Sequence, residues 1–146
     1  MMEQKKKQLK TASILVLIFA VISFAKTIVE LFITDFSDMP IPDGAPENIW
    51  LIAKISFGVI FILLLTPQFY IGVKGLKLAK NPDRSAKAHI VWGIILLALA
   101  VLALISPIAS IVQKQDVLTN VSLFFGMLLD VLVLFDYVKC AKALAK

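Results

Sequence analysis

Four ionisable side chains lie inside long apolar stretches of this sequence, and they are the groups best placed to do chemistry. They are Lys26, Glu30, Lys54 and Asp130. A charged group at membrane depth is costly, so it is a candidate functional residue by default. A carboxylate held there beside lysines could exchange protons or bind cations. The alternative interpretation is a structural ion-pair network, which the balance of two positive and two negative charges favours.

The depths of these residues predict that they meet. At about 1.5 Å per helical residue, Asp130 lies roughly 18 Å below the start of the last apolar stretch at Leu118. The same count places Lys26 roughly 12 Å, Glu30 roughly 6 Å and Lys54 roughly 10 Å below the same surface. Lys26 and Glu30 are four residues apart and therefore share a helix face. We expect Asp130 to face the protein interior, within reach of Lys26 or Lys54.

Asp130 also belongs to a stripe of mostly small or polar residues at helical spacing. The stripe consists of Thr119, Ser122, Gly126, Asp130, Val133 and Tyr137. Such stripes allow membrane helices to pack closely. The stripe predicts that this helix turns Asp130 towards neighbouring helices.

The cysteine and histidine content excludes several kinds of chemistry. A single cysteine, Cys140, excludes an internal disulfide, a paired-cysteine redox site and a cysteine-rich zinc site. A single histidine, His89, excludes bis-histidine haem within one chain and the HExxH metalloprotease motif. No second titrating partner is visible for His89, so we expect an ordinary histidine at the membrane interface. The sequence predicts no enzyme, no metal site and no cofactor.

The composition indicates what positions these groups. Hydrophobic residues make up 60% of the 146 residues and charged residues 17%, whereas soluble domains carry about 25% charged residues. Four stretches exceed the roughly 20 residues that a membrane-spanning helix needs. The predicted helices cover approximately 9–33, 47–78, 82–112 and 117–142. The fold class is therefore all-α, an integral membrane four-helix bundle formed by a single transmembrane domain over residues 1–146.

The first stretch has a second interpretation. Its lysines, its apolar core and the residues Ser23-Phe24-Ala25 before Lys26 are typical of a secretory signal cleaved after Ala25. The apolar run continues beyond that point to Ile33, which favours a retained helix.

Prolines predict where the helices change course. Pro67 removes one helical hydrogen bond and crowds the carbonyl of Leu63, so a kink or break is expected there. Pro107 is expected to bend the third helix. Asn81 and Pro82 form a helix-start signal, with Asn81 as the cap and Pro82 in the first helical position.

The distribution of basic residues predicts an orientation. Twelve of the 15 lysines and arginines lie in three segments: Lys5, Lys6, Lys7 and Lys10; Lys74, Lys77, Lys80, Arg84 and Lys87; and Lys139, Lys142 and Lys146. The acidic segment 34–46 contains none. The positive-inside rule therefore predicts cytoplasmic termini (N-in and C-in), a basic cytoplasmic connector at 74–87 and an acidic outer loop at 34–46. The expected location is the plasma (cell) membrane.

The same distribution predicts what the basic residues bind. They are spread over membrane-proximal segments, which favours contact with anionic lipid headgroups in the bilayer. No motif for reading nucleic acid accompanies them, so nucleic acid is not an expected partner.

Two functional hypotheses follow from these features. The first is a non-enzymatic accessory or interaction subunit that docks on a membrane protein partner or forms a homo-oligomer, its bundle held by the charge cluster. The alternative is a small oligomeric proton- or cation-coupled transporter or channel that uses Lys26, Glu30, Lys54 and Asp130. The charge balance and the lack of a pore-lining repeat favour the first.

Overall fold

The computed structural model describes residues 1–34, 40–82 and 87–145, and within these ranges the chain is helical with no strand. The helices are α1 (Met2–Ile33), α2 (Ile49–Lys80), α3 (Ala88–Ala103), α4 (Ile105–Val112) and α5 (Val117–Leu144). Helices α3 and α4 follow each other closely and count as one span. The described residues thus hold four helical spans long and apolar enough to cross a membrane. The prediction of an all-α fold with four helical spans apolar enough to cross a membrane is confirmed for the described residues.

The first helix is longer than predicted, beginning at Met2 rather than near residue 9. Its first turns are rich in lysine, glutamine and glutamate, which are good helix formers, and contain no glycine or proline. The basic N-terminal residues therefore lie on the helix. It continues unbroken through Ala25 to Ile33.

The predicted start of the third span at residue 82 is wrong. Asn81 is extended, with φ −131° and ψ 90°, and its backbone N–H donates to the carbonyl of Lys77. This bond makes Asn81 the C-cap of α2. Its extended conformation is the one that a residue before proline prefers. The third span begins at Ala88. Arg84 of the predicted connector lies outside the described residues, as does 35–39 of the predicted acidic loop.

The two prolines within the spans have different effects. Helix α2 runs without a break through Pro67, and the Thr66 hydroxyl donates to the carbonyl of Ile62 at 2.9 Å. The third span is interrupted at Leu104, three residues before Pro107. Pro107 has no N–H to donate to the carbonyl four residues earlier, so the hydrogen-bond ladder is lost at that point.

The spans form a ring, with an additional contact across it between α2 and α5. Helix α1 packs against α2 and α5, while α3 packs against α5 and α2; α4 contacts α5 and α3. Antiparallel packing brings the start of α1, the end of α2, the start of α3 and the end of α5 to the same end of the bundle. The buried apolar cluster lies there: Leu9, Ala12, Val16, Ile71, Leu78, Ala79, Ile90, Leu96, Leu134, Tyr137, Val138, Cys140, Ala141 and Leu144. We call residues 2–19, 69–80, 88–97 and 134–144 the closed half.

The opposite end of the bundle, residues 21–33, 49–67, 98–112 and 117–132, is the open half. Within the described residues, no Cα atom of α2 lies within 8 Å of a Cα atom of α4. Helix α2 stays beside α1, since Gly58 approaches Leu31, and α4 stays beside α5. In the open half α2 thus lies apart from α4, and Lys26, Glu30, Lys54 and Asp130 all lie in this half.

Candidate functional site

Lys26 and Asp130 line one cavity of about 400 Å³ between α1, α2 and α5. Lys26 forms an ion pair with Glu30, with 3.6 Å between Nζ and Oε1, and these two side chains are 63% and 57% exposed. Asp130 is half-buried. No ion pair joins Asp130 to a lysine among the residues that the structure describes. Lys26 and Asp130 thus face a common space without pairing across it.

Polar and apolar side chains share the wall of this cavity. Ser23 of α1, Gln68 of α2 and Ser122 of α5 contribute polar groups. The Oε1 atom of Gln68 is buried and accepts no hydrogen bond from the described residues. Much of the remaining wall is apolar and comes from Phe19, Ile22, Leu123, Met127 and Leu129. The site can therefore accept hydrogen bonds and hold a positive charge in largely apolar surroundings.

The other two predicted residues lie elsewhere. Lys54 lines a second cavity of about 460 Å³, between α1 and α2, together with Ile28 and Leu31. Glu30 lines a third with Ala53. Lys26 thus shares a helix face with Glu30 and a cavity with Asp130. Lys54, which belongs to α2, lines a different cavity beside another face of α1. A joint role for the four residues stays a prediction.

The structure also contains a buried polar network that the sequence analysis missed. His89 is only 2% exposed, and its Nδ1 lies 2.8 Å from the hydroxyl of Tyr137. That hydroxyl donates to the carbonyl oxygen of Ile71, also at 2.8 Å. A tyrosine hydroxyl has one hydrogen to donate, so the imidazole must donate from Nδ1. His89 is therefore buried and has a hydrogen-bond partner that the sequence did not predict, and the network joins α2, α3 and α5.

Glycines allow the other helices to approach the Tyr137 ring. A Cβ on Gly75 of α2 would collide with the Tyr137 ring and with Ser13 of α1. A Cβ on Gly93 of α3 would lie 3.2 Å from Cε1 of the ring. Ser13 is fully buried, and its hydroxyl has no hydrogen-bond partner in the described part of the chain. Tyr137 of α5 therefore lies against both α2 and α3, and Ser13 of α1 approaches Gly75 of α2 beside it.

A limited signal for this network was present in the sequence. Tyr137 belongs to the small and polar stripe of α5, which predicted that it faces other helices. Nothing in the sequence related it to His89, which is 48 residues away. The stripe also did not indicate which glycines allow close helix packing. It includes Gly126, yet a Cβ at that position would meet nothing within 4 Å.

The lone cysteine lies in the closed half. Cys140 is buried, and its Sγ lies 3.6 Å from Oε1 of Gln8 on α1. The described residues contain no group of three or more histidine, cysteine, aspartate or glutamate side chains that could hold a metal ion.

Comparison with known proteins finds no matching family model, no matching curated protein and no matching solved structure. Functional inference for this chain therefore rests on its own geometry.

Proposed function

We propose that this chain is a non-enzymatic interaction subunit located in a membrane. Through its open half it docks on a larger membrane protein or on a second copy of itself. The observation that carries the proposal is the separation of α2 from α4 in that half. Membrane helices associate by close packing of their surfaces. A partner helix between α2 and α4 would gain contacts with both, whereas the closed half is already filled by its own side chains.

The exposed side chains support docking at this position. Large apolar side chains are exposed on both helices that flank the gap, namely Leu51, Ile55 and Leu63 on α2 and Ile105, Ile108 and Val112 on α4. Lipid chains can cover these surfaces, but a helix fills the space between two helices with less loss of chain entropy than several lipids do.

Photo-crosslinking tests the docking proposal directly. A photoreactive residue is placed at Leu63 in the open half or at Val73 in the closed half, two exposed positions on α2. We expect a discrete protein adduct from position 63 and only lipid adducts from position 73, followed by co-purification of the partner in mild detergent. A lone monomer with no protein adduct at position 63 contradicts docking.

The orientation forms part of the same proposal. Twelve of the 15 basic residues lie in the two terminal segments and the 74–87 connector, so we propose cytoplasmic termini, an outer 34–46 loop and residence in the plasma membrane. The open half then lies towards the outside. In a Cys140→Ala background, an impermeant maleimide should label a cysteine at Asp43 in intact cells and one at Glu3 only after lysis. The reverse pattern would invert the topology.

A second candidate function is a small oligomeric proton- or cation-coupled transporter or channel. One observation favours it: Lys26 and Asp130 line a common cavity without forming an ion pair. The purified chain in liposomes would then show proton- or cation-dependent flux that Asp130→Asn abolishes and Asp136→Asn, on the same helix, retains. Such flux would replace the interaction-subunit proposal, and an absence of flux would remove the transporter.

A further inference from the structure

We infer that the cavity between α1, α2 and α5 is a binding site for an amphiphilic primary amine, in which the protonated amine meets Asp130 and the apolar chain lies along the cavity wall. The inference goes beyond the proposed function, because binding needs neither a protein partner nor flux. It depends on three properties of the cavity: its charge, its hydrogen-bond acceptors and its apolar wall.

The charges around the cavity leave one carboxylate uncompensated. Lys26 and Asp130 are its charged lining residues. The ammonium of Lys26 is engaged by Glu30 on the same helix face. Asp130 forms no ion pair with a described residue. A half-buried carboxylate without a cation is costly, so a cationic ligand would gain more here than a neutral one.

The polar lining favours a cation that carries N–H groups. The buried Oε1 of Gln68 accepts no hydrogen bond from the described residues, and leaving a buried acceptor unsatisfied costs free energy. Ser23 and Ser122 add hydroxyl oxygens to the same wall. A primary ammonium has three donors for these acceptors. A quaternary ammonium has none, so the site should discriminate between the two.

The apolar wall provides a place for the remainder of the ligand. The volume of about 400 Å³ lies within the range of roughly 300–1,000 Å³ that is typical of small-molecule sites. Ile22 and Leu129, which line the cavity, are 58% and 57% exposed at the protein surface. A chain bound there could extend past them into the surrounding lipid, which favours an amphiphile over a compact polar cation.

Equilibrium binding of radiolabelled decylamine to the full chain in phosphatidylcholine nanodiscs tests the inference. We expect saturable binding at one molecule per chain above the level in empty nanodiscs. Decyltrimethylammonium should compete at least fivefold more weakly, and decanoate should not compete. The same binding to empty and loaded nanodiscs would overturn the inference, as would equal competition by decanoate.

Two variants locate the site, with one matched control. Asp130→Asn should weaken decylamine binding at least tenfold by removing the charge. Gly126→Phe should do so by filling the cavity, and this variant is expected to fold because a Cβ on Gly126 meets nothing within 4 Å. Asp136→Asn removes an exposed carboxylate from the same helix and should leave binding unchanged. Unaltered binding in a folded Gly126→Phe variant would place the amine elsewhere and refute the assignment.

Discussion

The hydroxyl group of Tyr137 connects three spans, since it binds His89 of α3 and the Ile71 carbonyl of α2. Tyr137→Phe leaves a buried imidazole N–H and a carbonyl without this partner. We expect it to lower the free energy of unfolding by about 1–2 kcal/mol, because unsatisfied buried groups are costly while hydrogen bonds within membrane bundles are modest in strength. The measurement is unfolding of the detergent-solubilised chain by sodium dodecyl sulfate.

A double-mutant cycle separates the hydrogen bond from general packing. His89→Leu removes the donor, so the combination of His89→Leu with Tyr137→Phe leaves no unpaired imidazole. The combined cost should be smaller than the sum of the single costs. Strictly additive costs would show that the two side chains do not interact.

Two glycines provide a matched test of close packing at the residue scale. A Cβ on Gly75 would collide with Ser13 and the rigid ring of Tyr137, whereas one on Gly126 meets only open space. Gly75→Ala should destabilise the chain by about 1–3 kcal/mol. Gly126→Ala should be neutral or stabilising by up to about 1 kcal/mol, since alanine favours the helix. The measurement is thermal unfolding of the two variants in the same detergent. Equal effects would argue against close packing of Tyr137 and Ser13 around Gly75.

Individual residues show which features of this chain its sequence can predict and which it cannot. Asp130 and Lys26 stood out because each is a charge within an apolar stretch, and that signal requires no neighbours. The pairing of His89 with Tyr137 depends on how α3 is rotated and shifted against α5. A nearly uniform apolar helix such as α3 carries little information on that rotation, so its single histidine could not be assigned a partner.

At the element scale, Pro107 determines how the third span is divided. Restoring an N–H there with Pro107→Ala should allow α3 and α4 to join into one helix through Leu104. We expect slower amide hydrogen exchange at residues 104–106, measured by mass spectrometry in detergent micelles. Pro67→Ala is the control and should change exchange in α2 less, because α2 is already continuous. Unchanged exchange near Leu104 would mean that the interruption has another cause.

The number of spans followed from hydrophobicity, but their ends did not. Apolar length identifies a membrane helix because hydrocarbon thickness sets a minimum number of residues. The ends depend on polar residues that are compatible with helix or loop alike. The lysine-rich start of α1 continued the helix outside the apolar run, whereas Asn81, whose side chain favours a helix start, capped the end of α2.

At the scale of the whole molecule, the contrast between the closed and open halves can be measured by crosslinking. Gln8→Cys should form a crosslink with the native Cys140 through a short bis-thiosulfonate reagent, since these residues are in contact in the closed half. In a Cys140→Ala background, Ile55→Cys and Ile108→Cys should not crosslink, because α2 and α4 do not touch. Efficient crosslinking of Ile55→Cys with Ile108→Cys in the isolated chain would contradict the separation of α2 from α4.

The separation of α2 from α4 has a consequence for the surrounding lipid. A bundle in which α2 and α4 lie apart in one half takes up more area in the leaflet around that half than in the other leaflet. The lateral pressure of the acyl chains in that leaflet acts to bring α2 and α4 together. A partner helix bound between them resists that pressure. Lipids that alter the crowding of acyl chains in that leaflet should therefore change the distance between α2 and α4. Membrane composition then influences how readily a partner helix binds between them.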